Sequence, residues 1–400
     1  MLPEVISNAL ASLQPDQMRP AKSVFLDYTA AGILTHVEIC RSYIKSACRL
    51  SYEEADDVLS NPAAGKKRFP PKIAALIKRM GQFAPILKKR RAKKGAIELT
   101  FAELKITLDA EGRVTGAVEE RQTPARSMIE EFMLAANGAV AAFLTSRALP
   151  FLRRIHPVPS LKKLERFAAF ISSLDGLAPS PACFAGDRFA IQRLLESVRG
   201  TEQEDAVQYA CLCAMAKAVY SPEAEGHYAL AIDNYCHFTS PIRRYPDLTV
   251  HHLLDRILDG KKPTLLKNDL ILLGQHASER ERHAEEAERE LKKLKLIEWM
   301  RHQVGRTMPG VVTGIERFGI FVRGTEIPAE GLVRIDTLTD DYYHYDAEYR
   351  ILTGFKKGNI IRMGDRVTVE IRRADTDARQ LDFWLVKNRK TTDGMPHEED

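Results

Sequence analysis

From Gly305 onward the chain reads as short β segments punctuated by glycine and proline, and no other feature narrows its fold as far. RTMPGVVTGIERFGIFVRGTEIPAEGLVRIDTL supplies three such segments, and DRVTVEIRRADTDARQLDFWLV adds two more around a turn at 375–378. Five short strands in roughly 80 residues predict a small closed β-barrel of the OB type. A chain of 400 residues leaves room for a larger domain ahead of it.

That preceding region mixes strand and helix signals, so the fold class is α+β. SVFLDYTAAGILTHVEICRSYI predicts two strands with a turn at 30–32, and RLSYEEADDVLS a helix with acids in its first turn. A helix over 74–94 runs into the basic cluster KKRRAKK, either a solvated helix end or a phosphate-contacting patch. IELTFAELKITLDAEGRVTGAVEER predicts a hairpin. The segment 127–149 predicts a helix with Ile129, Phe132, Met133, Ala136, Val140, Phe143 and Leu144 facing the core. Further helices are expected over 161–174 and 206–218, and HYALAI alternates like a strand. A long helix over 269–300 carries a narrow face of Ala277, Ala284, Ala287, Leu291 and Leu294 among charges.

Composition excludes several classes. With 44% hydrophobic and 28% charged residues the chain is globular rather than disordered. Apolar runs such as GAVAAFL fall short of a membrane span, and the N-terminus lacks a secretory pattern, so the expectation is a cytoplasmic protein with no membrane partner. Six cysteines without a CxxC pair read as buried thiols. The charge of +5, from 59 basic and 54 acidic residues, is a mild excess, so any nucleic-acid contact depends on where the charges lie.

The richest chemistry lies in TSPIRRY, 239–245. Ser240 before Pro241 is an N-cap and first-turn pair, so a helix is expected to start there, with Arg243 and Arg244 near its positive end. Backbone N–H groups plus guanidinium forks suit a phosphate; the other reading is a capped helix whose arginines pair with carboxylates. In RFGIFV, Phe318 and Phe321 beside Arg317 and Arg323 form either a stacking platform for unpaired bases or part of the barrel core. The carboxylate groups Glu53, Glu54, Asp56 and Asp57, then Asp340 and Asp341, then Asp375 and Asp377 show no metal-ligand spacing. There is no Walker loop, GxSxG or HExxH.

HFTSPIRRYPDL, the opening MLPEVISNALASLQP and the terminal GVVTGIERFGIFV together resemble the ribonuclease R and ribonuclease II family, in the family's order over nearly the whole chain. The resemblance implies an RNB-type catalytic domain over 1–303, a ribosomal S-one type RNA-binding barrel over 304–387 and a disordered polar tail over 388–400. It implies magnesium-dependent hydrolysis of single-stranded RNA from the 3′ end to nucleoside monophosphates. Arg243 matches the family's arginine at the scissile phosphate. Tyr52, Glu130 and His156 match positions that contact RNA near its 3′ end, Glu130 accepting from a ribose 2′-hydroxyl. Arg334, in GLVRID, stands where the family usually has histidine. The family's four metal-binding aspartates lie on a segment before its internal MLPE. The expectation is therefore a chain without metal ligands, inactive alone, an RNA-binding module or one served by a separate chain carrying that segment.

Overall fold

The structure, a computed structural model, describes every residue except 1, 61–68, 102, 121, 173, 175, 179, 202, 265, 347–350 and 389–400. The expected polar tail therefore lies, from 389 on, outside the described residues.

Strands β1 (Met18–Tyr28) and β2 (Leu34–Lys45) form an antiparallel ribbon whose register pairs Val24 with Ile39 and Leu26 with Val37. Alternation puts these residues on one face. There Val24, Val37 and Ile39 pack with Val140, Ala141 and Leu144 of helix α3 (Pro124–Ser146) and with Cys236, Phe238, Val250 and Leu254. The last four flank TSPIRRY, so the motif is mounted on the edge of a packed core.

Ahead of α3 come α1 (Tyr52–Ser60), α2 (Pro71–Lys93) and the hairpin β3 (Glu103–Leu108) and β4 (Val114–Glu120). Of the predicted α3 face, Val140 and Leu144 are fully buried, but Met133 is 37% exposed and Leu134 takes the inner position. The buried set Met128, Glu131, Leu134, Asn137 and Ala141 shows why: a two-sided fit against α2 and the ribbon widens and rotates the inner stripe. By length and composition α3 is apolar enough to cross a bilayer, which the expectation drawn from short apolar runs overlooked. Its buried Glu131 and Asn137, both hydrogen-bonded, mark it as the core helix of this domain.

A second cluster joins α4 (Leu161–Ser172), α5 (Pro181–Phe184), α6 (Arg188–Ser197) and α7 (Glu204–Ala214). Strands β5 (Arg153–Ile155) and β6 (Val219–Ser221) make a short ladder. HYALAI is not a strand. It is a tight turn closed by the His227 N–H on Ile232 O at 2.8 Å, with Ala231 at φ +54°. Its other backbone groups pair outward, Ile97 N–H donating to Ala229 O and Tyr228 N–H to His156 O, so alternation here reflects neighbours rather than a ladder. Cys183, Cys211 and Cys236 are buried as expected, whereas Cys213 is exposed.

Helix α8 (Tyr245–Leu258) precedes the long α9 (Lys267–Met300). The expected alanine stripe of α9 is not its contact face: Ala284 and Ala287 are exposed, and Leu291 is 58% exposed. At about 50 Å, the helix reaches two cores and docks only its ends. Leu270, Gly274 and Ser278 sit at one end, Leu296, Ile297 and Met300 in the barrel cluster at the other.

Strands β7 (Thr307–Glu316), β8 (Gly319–Gly324), β9 (Glu330–Arg334), β13 (Arg366–Asp375) and β14 (Gln380–Asn388) close into the expected five-stranded ring, β13 returning to pair with β7. Beside it lies a small sheet of β10 (Tyr343–Asp346), β11 (Ile351–Gly354) and β12 (Ile360–Ile361). Its first strand takes up Tyr343–Asp346 of the aromatic run that follows β9.

Candidate functional site

The segment entering the motif is clamped by one side chain of α3. Asn137 accepts from Phe238 N–H at 3.0 Å and donates to the Tyr235 hydroxyl at 3.1 Å. The chain then turns, with Arg243 and Arg244 N–H groups both directed at Ser240 O, and α8 starts only at Tyr245. The predicted start at Ser240–Pro241 is therefore four residues early. Arg244 is extended, at φ −125° and ψ 113°, and Pro246 occupies the first helical turn, where its missing N–H costs nothing.

Asp247 organises the turn. Its fully buried carboxylate accepts from Ser240 N–H at 2.8 Å and from the Arg244 guanidinium at 2.7 Å. Arg244 is thereby committed inward, its Nε without an acceptor. Arg243 is exposed and has no hydrogen-bond or ion-pair partner among the described residues. One arginine braces the loop and the other is left for a ligand.

Arg243 lines a cavity of about 810 Å³ between this loop and the ribbon, with Lys22, Arg41, Tyr43, His251 and Asp255 among its walls. Lys22 and Arg41 both bind Asp255, at 2.7 and 2.8 Å, and Arg41 also reaches Asp259 at 2.6 Å. Hydrogen bonds from Arg41 and Lys261 hold Asp259 down at about 2. With three cations against Asp255, the cavity wall is net positive and suits an anion.

Behind the loop runs a chain of rings that the sequence reading did not anticipate. His156 stacks at 6.0 Å on Tyr228 and lies 5.0 Å from His227; His227 meets Tyr235 at 5.4 Å, and Tyr235 meets His237 at 5.8 Å. The Tyr220 hydroxyl lies 2.9 Å from His237 Nδ1, and Arg154 stands over the Tyr220 ring. Burial pushes His227 down to about 3, with His156 and Arg154 adding to it. Burial, then Arg244 and Arg154, pushes His237 to about 2. The density of His and Tyr in HYALAIDNYCHF directly before TSPIRRY was the available signal.

The other predicted residues fall into three places. Tyr52, 41% exposed at the start of α1, lies under the Arg126 guanidinium at 5.1 Å, and Glu130, one turn along α3 from Arg126, accepts from Gln122 at 2.5 Å. His156 is apart from them, buried in the ring chain with its Nδ1 unpartnered. On the barrel, Phe318 is 54% exposed and meets Phe321 edge-on at 6.1 Å, and Gly319 pairs with Arg334, which is exposed. The ring core is filled instead by Val312, Ile315, Ile320, Val322, Val333 and Phe383. Both phenylalanines therefore lie outside it.

The carboxylate candidates are structural. Glu54 and Ser51 form a reciprocal cap on α1, and Asp56 accepts from Ala125 N–H. Asp341 collects three backbone N–H groups, and Asp375 caps its hairpin turn. Among the described residues no group of three or more His, Cys, Asp or Glu is placed to hold a metal ion.

Comparison with known proteins agrees with this layout. Residues 1–260 match the RNB domain and residues 301–384 the S1 RNA binding domain. Ribonuclease R of Aquifex aeolicus is 35% identical over 389 residues, which cover 97% of this chain and 55% of that protein. Ribonuclease R of Escherichia coli (strain K12) is 32% identical over 406 residues, covering 98% and 49%. The structure of Mycoplasma genitalium RNase R in complex with ribose methylated single-stranded RNA superposes with a TM-score of 0.89 at 27% identity, over 96% of this chain and 60% of that one. The chain spans about half the length of the curated relatives it matches.

Proposed function

The chain belongs to the RNB family, and from that premise we propose that it serves 3′-to-5′ hydrolysis of single-stranded RNA, with Arg243 at the scissile phosphate. The observation that carries this reading is the unpartnered Arg243 guanidinium, presented to a positively charged cavity by a turn that Asp247 and Arg244 brace. A guanidinium stays charged at any working pH, and its fork meets two phosphate oxygens at once. Cleavage of a phosphodiester builds negative charge on those oxygens, and a cation already fixed in place stabilises it without rearrangement.

In this reading residues 1–303 carry the reaction site and 304–387 the RNA-gathering barrel, where Phe318 and Phe321 stack bases and Arg334 holds the strand beside them. Tyr52 contacts the strand near its 3′ end, and His156, buried among the rings, supports the site from behind without touching RNA. Glu130 accepts a 2′-hydroxyl, which distinguishes RNA from DNA. Arg244 acts on RNA only through the position it gives Arg243. In this reading the chain works in the cytoplasm.

The family resemblance implies magnesium, and the described residues do not fit it. Asp247 gives one oxygen to Arg244 and Ser240 and keeps the other, Oδ2, buried without a partner, while Asp255 is held by Lys22 and Arg41, so beside Arg243 there is no cluster of open carboxylates of the kind a divalent cation needs. That same observation favours a second reading, an RNA-binding module without hydrolysis, whose chemistry needs a separate chain.

The deciding experiment follows a labelled single-stranded RNA with the purified chain and with Arg243→Ala. Release of mononucleotides that the substitution abolishes supports hydrolysis here. Binding without release supports the module. Absence of RNA binding at low salt overturns both.

A further inference from the structure

The basic cluster KKRRAKK is not used by the Arg243 site, and its side chains divide into two groups. Lys88 pairs with Glu98, and Arg91 donates to the buried Glu131 at 2.5 Å. Arg90 and Lys94 have no hydrogen-bond or ion-pair partner among the described residues. Both face a cleft of about 240 Å³ formed by the end of α2, the middle of α3 and the turn of the ribbon.

The ordinary explanation of such a run, cations neutralising a helix C-terminus, accounts for little of it. The last carbonyls of α2 already have donors: Lys94 and Ala96 N–H reach Arg91 O, and Gly95 N–H and Gln192 Nε2 both reach Ala92 O at 2.9 Å. A further donor is unanswered, because Arg91 Nε is buried with no acceptor although Glu131 holds the other side of the guanidinium. Arg19, Arg153 and Arg244 carry the same buried, unpaired Nε, so that atom marks no ligand; what the cleft offers an anion is the pair Arg90 and Lys94.

The remaining walls indicate what kind of anion these two cations suit. Tyr28 provides an aromatic surface, itself fixed edge-on against Phe83 at 5.4 Å. Leu34, Leu87 and Leu134 are apolar. Asp233, exposed on the facing wall, is the cleft's one carboxylate outside the Arg91 pair and is set to accept from a hydroxyl or amine. Cations for a phosphate, a ring beside an apolar surface and one hydrogen-bond acceptor are the parts a nucleotide needs.

We propose that this cleft is a second phosphate site that binds one nucleotide, with Arg90 and Lys94 on the phosphate and Tyr28 against the base or ribose. Lys22 lines the Arg243 cavity and Tyr28 this cleft, six residues along one strand, so the two sites lie about 20 Å apart. The occupant is either a free nucleoside monophosphate or one residue of a bound RNA strand, since both present the same phosphate and ring.

The test titrates the whole chain with 5′-AMP and, separately, with a labelled single-stranded RNA, using wild type, the Arg90→Gln/Lys94→Gln pair and Arg243→Ala. Neither substituted side chain has a hydrogen-bond or ion-pair partner among the described residues, so melting of the pair should stay close to wild type. A roughly tenfold loss of AMP affinity in the pair, absent in Arg243→Ala, assigns the free nucleotide. An RNA affinity loss of that size with a salt slope shallower by about 2, and no AMP binding, assigns a residue of the strand. Should the pair fold poorly, Asp233→Ala tests the opposite wall and, by removing the acceptor, should weaken the same ligand roughly threefold or more. AMP and RNA affinities unchanged in every cleft variant overturn the site, whatever Arg243→Ala does to hydrolysis.

Discussion

The carboxylate of Asp247 and the guanidinium of Arg244 meet at 2.7 Å, with Asp247 wholly shielded from solvent. This pair separates the roles of two adjacent arginines that the sequence presents as equivalents. Arg244 and the Ser240 N–H share one carboxylate oxygen, so the turn cannot shift without exposing a buried charge.

Asp247→Ala should accordingly destabilise the chain by about 3–5 kcal/mol, the usual cost of leaving one member of a buried pair alone. Denaturant unfolding monitored by circular dichroism measures it. A loss below about 1 kcal/mol would mean the pair is not what holds the turn.

Stability should fall as the solution is acidified. The unfolded imidazole titrates at about 6.5, whereas His227 and His237 are held at about 3 and about 2. Between those values the unfolded state binds the extra protons, so the contribution is complete above pH 6.5 and is lost as pH falls toward 3. Each proton contributes a slope of about 1.4 kcal/mol per pH unit. Unfolding curves from pH 7 to pH 4 should show this, and His227→Gln should flatten the slope.

Phe318→Ala and Phe321→Ala together should weaken single-stranded RNA binding by about 1–3 kcal/mol for each base that loses its stack. Phe318 is 54% exposed and Phe321 partly buried, both outside the barrel core, so the melting temperature should change little. Unchanged affinity in a fluorescence anisotropy titration would remove the stacking role.

Gly274→Ala should loosen α9 from β6. A Cβ there would lie 2.6 Å from Tyr220 O, and because that atom is backbone, neither partner can swing aside. A loss of roughly 1–3 kcal/mol is expected from thermal melts. The same helix supplies Ser278 Oγ to Tyr220 N–H at 2.9 Å, a contact that should weaken with it.

Much of the architecture was written in local pattern. Glycine-punctuated alternation predicted the closed ring, and the turns at 30–32, near Gly112 and at 375–378 all fall between paired strands. These succeed because turn chemistry and period-two burial are properties of a few neighbouring residues. The long helix was also visible, but not its contact face: Ala284 and Ala287 look like a packing stripe until both ends of the helix are docked elsewhere.

For the site, the motif could be read directly, but the sequence left open whether its arginines meet a phosphate or carboxylates and whether Phe318 and Phe321 face outward or into the barrel. The sequence by itself determined which residue types are present and which segments alternate, and so the barrel, the ribbon and the basic TSPIRRY loop. Only the tertiary structure decided that Arg243 is free while Arg244 is not, that His227 and His237 are buried neutral rings behind the loop, and that Arg90 and Lys94 face a cleft. The physical reason is that a charge acquires its role from its partners and its burial. Asp247 lies three residues from Arg244, but Glu131 lies forty from Arg91, and no local pattern announces which carboxylates will be enclosed.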